Sequence, residues 1–94
     1  MQLNDPTLFR QQAMINGRWR DASGKETLAV TNPANGQPLG NVPKMGAGET
    51  REAIDAAARA LPAWRALTAK ERSSILRRWF ELMMEHQDDL ARLM

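Results

Sequence analysis

The sequence predicts an α+β fold in which short antiparallel β ribbons are followed by two or three helices. The first half contains two Asn-Gly dipeptides, each between short apolar-polar runs, and this dipeptide is typical of tight hairpin turns. The second half is rich in Ala, Arg, Glu and Leu, and its apolar residues recur at three- and four-residue spacing, which indicates amphipathic helices. The change of composition near residue 45 divides a predicted arm of ribbons, residues 1–45, from a predicted helical part, residues 46–94.

Composition places the chain among ordinary globular proteins and excludes several kinds of site. Its 94 residues are 43% apolar and 26% charged, with a formal net charge of +2, which is too small an excess for a polybasic nucleic-acid surface. The absence of cysteine excludes disulfides, thiolate zinc ligands and a cysteine nucleophile within these residues. The sequence shows no signal peptide and no apolar run of about 20 residues, so we expect a cytoplasmic protein without a membrane partner.

The two predicted hairpins lie within residues 12–43. Asn16-Gly17 forms the expected turn of the first hairpin, and Asn35-Gly36 lies between strands expected at Thr27–Thr31 and Leu39–Val42. Prolines lack an amide donor and are expected at strand ends or edges. Three of them fall in this region: Pro33, Pro38 and Pro43. Ribbons this short are marginal alone in water and need another surface to pack on.

The first predicted helix spans Ala47–Leu61. Gly46 and Glu49 stand at its start like an N-cap and the partner three residues later. Apolar residues recur along it at helical spacing. Because Pro62 removes a backbone donor and clashes with the preceding turn, we expect it to end or kink this helix.

The second predicted helix, residues 68–86, begins at a capping box formed by Thr68 and Glu71. At 100° per residue its apolar positions cover an arc of roughly 200°, about twice the stripe that a helix needs against one neighbour. These positions are Ile75, Leu76, Trp79, Phe80, Leu82, Met83 and Met84. We therefore expect this helix to be covered on two sides, which the rest of the chain scarcely provides.

A third helix is predicted to start near residue 87. Asp88 and Asp89 suit the positive end of a helix. The sequence then stops at Met94 without a glycine, proline or capping residue. We expect these 94 residues to be the beginning of a longer chain.

Three short features resemble functional motifs but lack part of what each function needs. The GAGETR stretch, residues 46–51, has Arg51 where a dinucleotide-binding loop needs a third small residue. His86 is the only histidine, whereas a metal site needs three or four converging ligands; a capping or solvated role is expected. Ser73 and Ser74 have no base arranged nearby for nucleophilic chemistry.

The second predicted helix also carries basic residues, which raises the possibility that it binds a nucleic acid, a membrane or a partner helix. Its basic residues are Lys70, Arg72, Arg77 and Arg78, and acidic residues are interspersed among them: Glu71, Glu81 and Glu85. The polar face is therefore mixed in charge. The three tryptophans lie on different predicted elements instead of forming a stacking row. We expect no nucleic-acid partner.

The order of several short motifs resembles the N-terminal segment of the aldehyde dehydrogenase superfamily. The motifs are the INGRW hairpin at residues 15–19, the N-P-x-x-G turn at 32–36, A-x-x-A-W-R at 60–65 and E-R-x-x-I-L-R-R at 71–78. In detail, residues 3–12, 31–47 and 67–94 are similar to the bacterial NADP-dependent succinate-semialdehyde dehydrogenases. The resemblance covers essentially the whole chain, and its specificity comes from the collinear order of the motifs.

The resemblance implies a longer α/β enzyme with a Rossmann-type cofactor domain, a catalytic domain and an oligomerisation arm. Such an enzyme oxidises succinic semialdehyde to succinate with NADP, in 4-aminobutyrate degradation, and its subunits form a dimer or tetramer. Residues 1–94 would be the N-terminal part of its cofactor-binding domain. The catalytic cysteine and glutamate and the cofactor-binding residues of that family lie in later regions. We therefore expect no catalytic, cofactor-binding or metal-binding residue here, and an inactive, structural segment.

A second interpretation belongs to another class of protein. The apolar arc within residues 68–86 would also suit a free-standing small helical module that binds a partner through that face. A monomeric, cooperatively melting chain with a defined partner would favour this module, whereas aggregation of the isolated chain would favour the enzyme segment.

Overall fold

The computed structural model describes residues 1–94. A 3-10 turn at Pro6–Leu8 precedes four short strands and three helices. The strands are β1 (Ala13–Ile15), β2 (Arg18–Arg20), β3 (Thr27–Thr31) and β4 (Pro38–Pro43), and the helices are α1 (Ala47–Ala66), α2 (Ala69–Glu85) and α3 (Gln87–Leu93). This order confirms the predicted α+β arrangement. Residues 10–59 form one compact unit, and residues 1–9 together with 60–94 form a second.

The first hairpin pairs β1 with β2 in antiparallel register, with Ala13 opposite Arg20 and Ile15 opposite Arg18. Asn16 and Gly17 connect the strands with φ angles of 53° and 76°. Positive φ at both central residues is what a type I′ turn requires, and Asn and Gly are the residues that tolerate it best. The predicted turn is confirmed.

The second hairpin pairs β3 with β4, and a register shift between Val30 and Thr31 marks a β-bulge. The bounds of β3 agree with the prediction, and β4 is one residue longer at each end. Pro38 and Pro43 are the first and last residues of β4, the strand ends where a missing amide does least harm. Residues 32–37 form the connecting loop, in which Gly36 alone has a positive φ, 72°.

Helix α1 runs through Pro62 to Ala66, so the prediction that the first helix spans Ala47–Leu61 is wrong at its C-terminal end. Proline removes a single intrahelical hydrogen bond, and its fixed φ is itself close to the helical value. The residues after Pro62 therefore continue the helix. A final turn closes where the Leu67 amide donates to the Trp64 carbonyl at 3.2 Å.

Helices α2 and α3 begin where the sequence predicts. The Thr68 hydroxyl accepts from the Glu71 amide at 3.2 Å, and the Glu71 carboxylate accepts from the Thr68 amide at 2.8 Å. This reciprocal capping box fixes the start of α2. At the junction with α3, the His86 amide donates to the Leu82 carbonyl, and the His86 carbonyl accepts from the Leu90 amide at 2.9 Å.

Very few apolar residues are buried. Ile15 and Ala22 are the buried apolar residues, at 8% and 4% exposure, and both belong to the unit of residues 10–59. The chain exposes 7731 Å², whereas a compact monomer of the same mass exposes about 5,500 Å². No buried residue lies on α1 or α2. The predicted shortage of cover for the second helix is confirmed.

Candidate functional site

The start of α1, within the GAGETR stretch, is organised by Glu49. One oxygen of its carboxylate accepts from the Gly46 amide, and the other accepts from the Ser23 amide at 3.2 Å. Hydrogen bonds from the Ser23 side chain and from the Gly46 and Ser23 amides favour the charged carboxylate, so the pKa of Glu49 lies below its ordinary value. The negative charge also suits the N-terminal end of the helix.

This geometry does not fit a nucleotide phosphate at the GAGETR stretch. In a dinucleotide-binding loop, helix N-terminal amides face the phosphate and the third small residue lets helix and strand approach closely. Here the Gly46 amide already donates its hydrogen bond to the Glu49 carboxylate, so it is not free to bind a phosphate. A Cβ added at Gly48 would meet nothing within 4 Å, so no close approach requires glycine there. The stretch starts a helix.

A second contact joins the first hairpin to α1 within the same unit. The Arg20 guanidinium forms an ion pair with the Glu52 carboxylate, one helical turn beyond Glu49. Both side chains are partly exposed to solvent, so the pair orients the hairpin more than it stabilises it. Together with the bond from Ser23 to Glu49, it holds β2 and the following loop against the first turns of the helix.

His86 lies beside a polar depression of about 390 Å³ in the second unit. The depression is lined by Asn4, Asp5, Met84, Glu85, His86, Gln87, Asp88 and Asp89. No three of its acidic or imidazole groups converge with the spacing of metal ligands. His86 ends α2 and precedes α3 through its backbone, which agrees with the capping role expected from sequence.

Asp89 has a role that the sequence analysis missed. Its side chain is 3% exposed, and its two oxygens accept from the Asn4 amide at 2.7 Å and from the Asp5 amide at 2.8 Å. Hydrogen bonds of this kind satisfy a buried carboxylate. The sequence places Asp88 and Asp89 side by side at a helix start, and nothing in it distinguishes the exposed residue from the buried one.

The basic residues of α2 are partly neutralised by one neighbouring acid. Arg77 and Arg78 lie 3.6 Å and 3.8 Å from the Glu81 carboxylate. The Ser74 hydroxyl donates to the Lys70 carbonyl at 3.0 Å, one turn back along the helix, and so faces no catalytic base. The predicted mixture of charges on this face is therefore present as i,i+3 and i,i+4 pairs.

The opposite side of α2 is an exposed apolar surface. We call it the apolar face of α2; it consists of Ile75, Leu76, Trp79, Phe80, Leu82, Met83 and Met84. Trp79 is 62% exposed and Ile75 is 51% exposed, although residues of this kind usually lie in protein interiors. A large exposed apolar patch is unusual on a soluble monomer and marks a surface for contact with other groups.

Comparison with known proteins gives the chain its family. Residues 19–94 match the aldehyde dehydrogenase family. The chain belongs to the aldehyde dehydrogenase family. All 94 residues are 77% identical to the NADP(+) succinate-semialdehyde dehydrogenase GabD of Escherichia coli (strain K12) and 71% identical to the glutarate-semialdehyde dehydrogenase of Pseudomonas putida (strain KT2440).

A solved aldehyde dehydrogenase-family structure confirms the fold of the segment. The crystal structure of an E. coli NADP-dependent enzyme superposes with a TM-score of 0.95 at 76% identity and covers 98% of this chain. The chain covers 19% of that structure and 20% of each of the two relatives above. It thus spans about a fifth of the length of the aldehyde dehydrogenases it matches. None of its helices combines the length and apolar character needed to cross a bilayer.

Proposed function

We propose that this chain is the N-terminal segment of an NADP-dependent succinate-semialdehyde dehydrogenase and that it contributes structure to that enzyme. The observation that carries the proposal is the 77% identity to the E. coli enzyme over the whole chain, together with coverage of 20% of that enzyme. In such an enzyme an aldehyde is oxidised to a carboxylate while a nicotinamide is reduced. The complete protein would be a cytoplasmic enzyme of 4-aminobutyrate degradation.

The segment would be the N-terminal part of a Rossmann-type cofactor-binding domain. Its 94 residues contain no cysteine. Several of its acids serve in helix caps, ion pairs or buried hydrogen bonds, among them Glu49, Glu71, Glu52, Glu81 and Asp89. The residues that attack the aldehyde and hold NADP would belong to the remainder of the enzyme. Sister subunits of a homo-oligomer, a dimer or a tetramer, would be its further partners.

The contribution of the segment would be made chiefly by the apolar face of α2. This face is too wide to be covered by one neighbouring helix, and within residues 1–94 it is exposed to solvent. Packing this face against the remainder of the same polypeptide would remove it from water. Each Å² of apolar surface buried in this way stabilises the fold by about 25 cal/mol. The basic side of α2 would stay in solvent. Its ion pairs, between Glu81 and the two arginines Arg77 and Arg78, are of the exposed kind that water tolerates.

The substrate would be a short aldehyde with a carboxylate at its other end. The relatives at 77% and 71% identity are named for succinate and glutarate semialdehydes, which differ by one methylene group. A hydrophobic site discriminates one methylene by a factor of about 10–200. We favour succinic semialdehyde because the higher identity is to the enzyme named for it.

The test is to purify the product of the complete reading frame that contains this sequence and to follow NADPH formation by absorbance. Succinic semialdehyde with NADP should give a kcat/KM at least about tenfold above that with glutaric semialdehyde, and the 94-residue chain alone should give none. A complete product without aldehyde-dependent NADP reduction would contradict the proposed function. A higher kcat/KM with glutaric semialdehyde would contradict the substrate alone.

A further inference from the structure

We propose that Asn16 is a site of spontaneous deamidation and that the fold makes it far more reactive than Asn35. Both asparagines precede a glycine and both are exposed to solvent. Their sequences alone therefore assign them similar reactivity. The difference between them lies in the hydrogen bonds of the two turns.

The reaction is an intramolecular cyclisation followed by hydrolysis. The amide nitrogen of the glycine loses its proton to base and attacks Cγ of the asparagine, so that a nitrogen–carbon bond forms. The bond from Cγ to Nδ2 breaks, and ammonia leaves with the proton. Water then opens the resulting succinimide at either carbonyl and gives aspartate or isoaspartate. Glycine favours the first step because it has no side chain to block the approach.

At the first hairpin, both reacting groups are free of hydrogen bonds. Neither the Gly17 amide nor the Asn16 side chain has a hydrogen-bond partner in the structure. Cyclisation requires the main chain at Asn16 to leave the turn conformation. Because β1 and β2 are joined by only three residue pairs, this hairpin opens at low cost.

At the second hairpin, both reacting groups are engaged. The Gly36 amide donates to the Asn32 carbonyl at 2.7 Å, and the Asn35 side-chain oxygen accepts from the Gln37 amide at 3.0 Å. The loop is closed further by the Asn32 amide, which donates to the Gln37 carbonyl at 2.8 Å. The Gly36 nitrogen must lose its hydrogen bond before it can be deprotonated and attack.

The reaction at Asn16 would change the hairpin itself. Isoaspartate places an extra methylene group in the main chain, inside a turn of two residues. Ile15 and Arg18, paired on either side of that turn, would then lose their register. Ile15 is one of the two buried apolar residues, and β2 carries Arg20, the partner of Glu52.

The test compares the two sites within one sample of the intact protein, incubated in warm, mildly alkaline buffer. Tryptic digestion releases residues 11–18 and 26–44 as separate peptides, in which mass spectrometry measures replacement of the side-chain amide by an acid. We expect Asn16 to convert roughly tenfold faster than Asn35, since only at the second site must the glycine amide first lose a hydrogen bond. In concentrated guanidinium the two rates should become similar. The variant Asn16→Gly should abolish conversion in residues 11–18 and leave that in 26–44 unchanged.

Two results would overturn the proposal. One is equal conversion of both sites in native buffer, or faster conversion at Asn35. The other is a ratio of rates that guanidinium leaves unchanged, because the difference would then not come from the fold. Neither result bears on the proposed enzyme activity, which is measured separately.

Discussion

Among single side chains, Asp89 makes the hydrogen bonds that span the greatest distance in sequence. It is the one buried charged residue of the chain, and it links α3 to the residues just before the 3-10 turn through the Asn4 and Asp5 amides. The Asp5 side chain in turn accepts from the Thr7 amide and hydroxyl. The conformation of residues 4–8 therefore depends on two carboxylates, one local and one distant in sequence.

Replacing Asp89 tests this dependence. Asp89→Ala leaves two amides without acceptors, and we expect it to lower the free energy of unfolding of the protein by about 3 kcal/mol. Asp89→Asn should cost less because its amide oxygen still accepts one bond. Urea unfolding measures both changes, and hydrogen exchange of the Asn4 and Asp5 amides should lose protection. The matched control is Asp88→Ala at the exposed neighbour; equal losses from the two alanine variants would contradict the role assigned to Asp89.

Glu49 gives the protein a defined response to acid. Its pKa is lower in the folded chain than the ordinary value of 4.5, first because of the Ser23 side chain and then because of the Gly46 and Ser23 amides. Between the two pKa values the unfolded chain binds more protons than the folded chain, so stability rises with pH. The contribution is fully present above about pH 4.5 and is lost as pH falls through the folded-state pKa. NMR titration of the Glu49 carboxyl should show the lowered pKa, and Glu49→Gln should flatten this part of the stability profile. An unshifted titration would contradict the assignment.

At the level of elements, local capping signals determine where the helices start. The capping box of α2 joins Thr68 and Glu71 within four residues, and the bond from Glu49 to the Gly46 amide repeats half of that arrangement at α1. Because these partners are close in sequence, their geometry follows from the residue types alone.

The cap of α2 is testable by one substitution. Thr68→Ala removes the oxygen that accepts from the Glu71 amide, and we expect it to lower the free energy of unfolding by about 1 kcal/mol. Denaturant unfolding followed by far-ultraviolet circular dichroism measures the change. Ser73→Ala, at an exposed position inside the same helix, is the matched control and should leave stability nearly unchanged. A loss at Ser73 equal to that at Thr68 would contradict the capping role.

The elements also show how far sequence reasoning reaches in this protein. Both hairpins and the starts of α1 and α2 follow from turn and cap residues, which act within a few positions. The start of α3 follows from the two acids of its first turn and has no side-chain cap. The end of α1 did not follow, because the cost of Pro62 had to be weighed against continued helix formation up to Ala66. The partners of Asp89 lie 84 and 85 residues away, and no local pattern encodes such a contact. The hydrogen bonds that separate Asn35 from Asn16 likewise depend on the folded loop.

As a whole, the molecule exposes an unusually large surface to solvent for its size. The chain exposes 7731 Å² and places large apolar side chains in water, among them those of the apolar face of α2. A domain normally buries its apolar residues in one core. This chain matches only a fifth of the length of its longer relatives, which explains why so little of a core is present within these residues.

The isolated 94-residue chain should therefore self-associate. We expect it to elute as oligomers or aggregates in size-exclusion chromatography with light scattering, because the apolar face of α2 has no cover. Trp79→Glu should shift it toward the monomer, since that side chain is 62% exposed. Ser74→Glu, which adds the same charge at an exposed position on the polar side, should not. A chain that is monomeric without substitution would contradict the proposed role of this face.

The hydrogen bonds to Asp89 also set an order of events during synthesis. A ribosome adds about 5–20 residues per second, and 85 positions separate Asn4 from Asp89. The Asn4 amide of the nascent polypeptide therefore waits roughly 4–17 s before its acceptor has been made. Translation speed over the intervening codons thus controls how long the Asn4 and Asp5 amides remain without that acceptor.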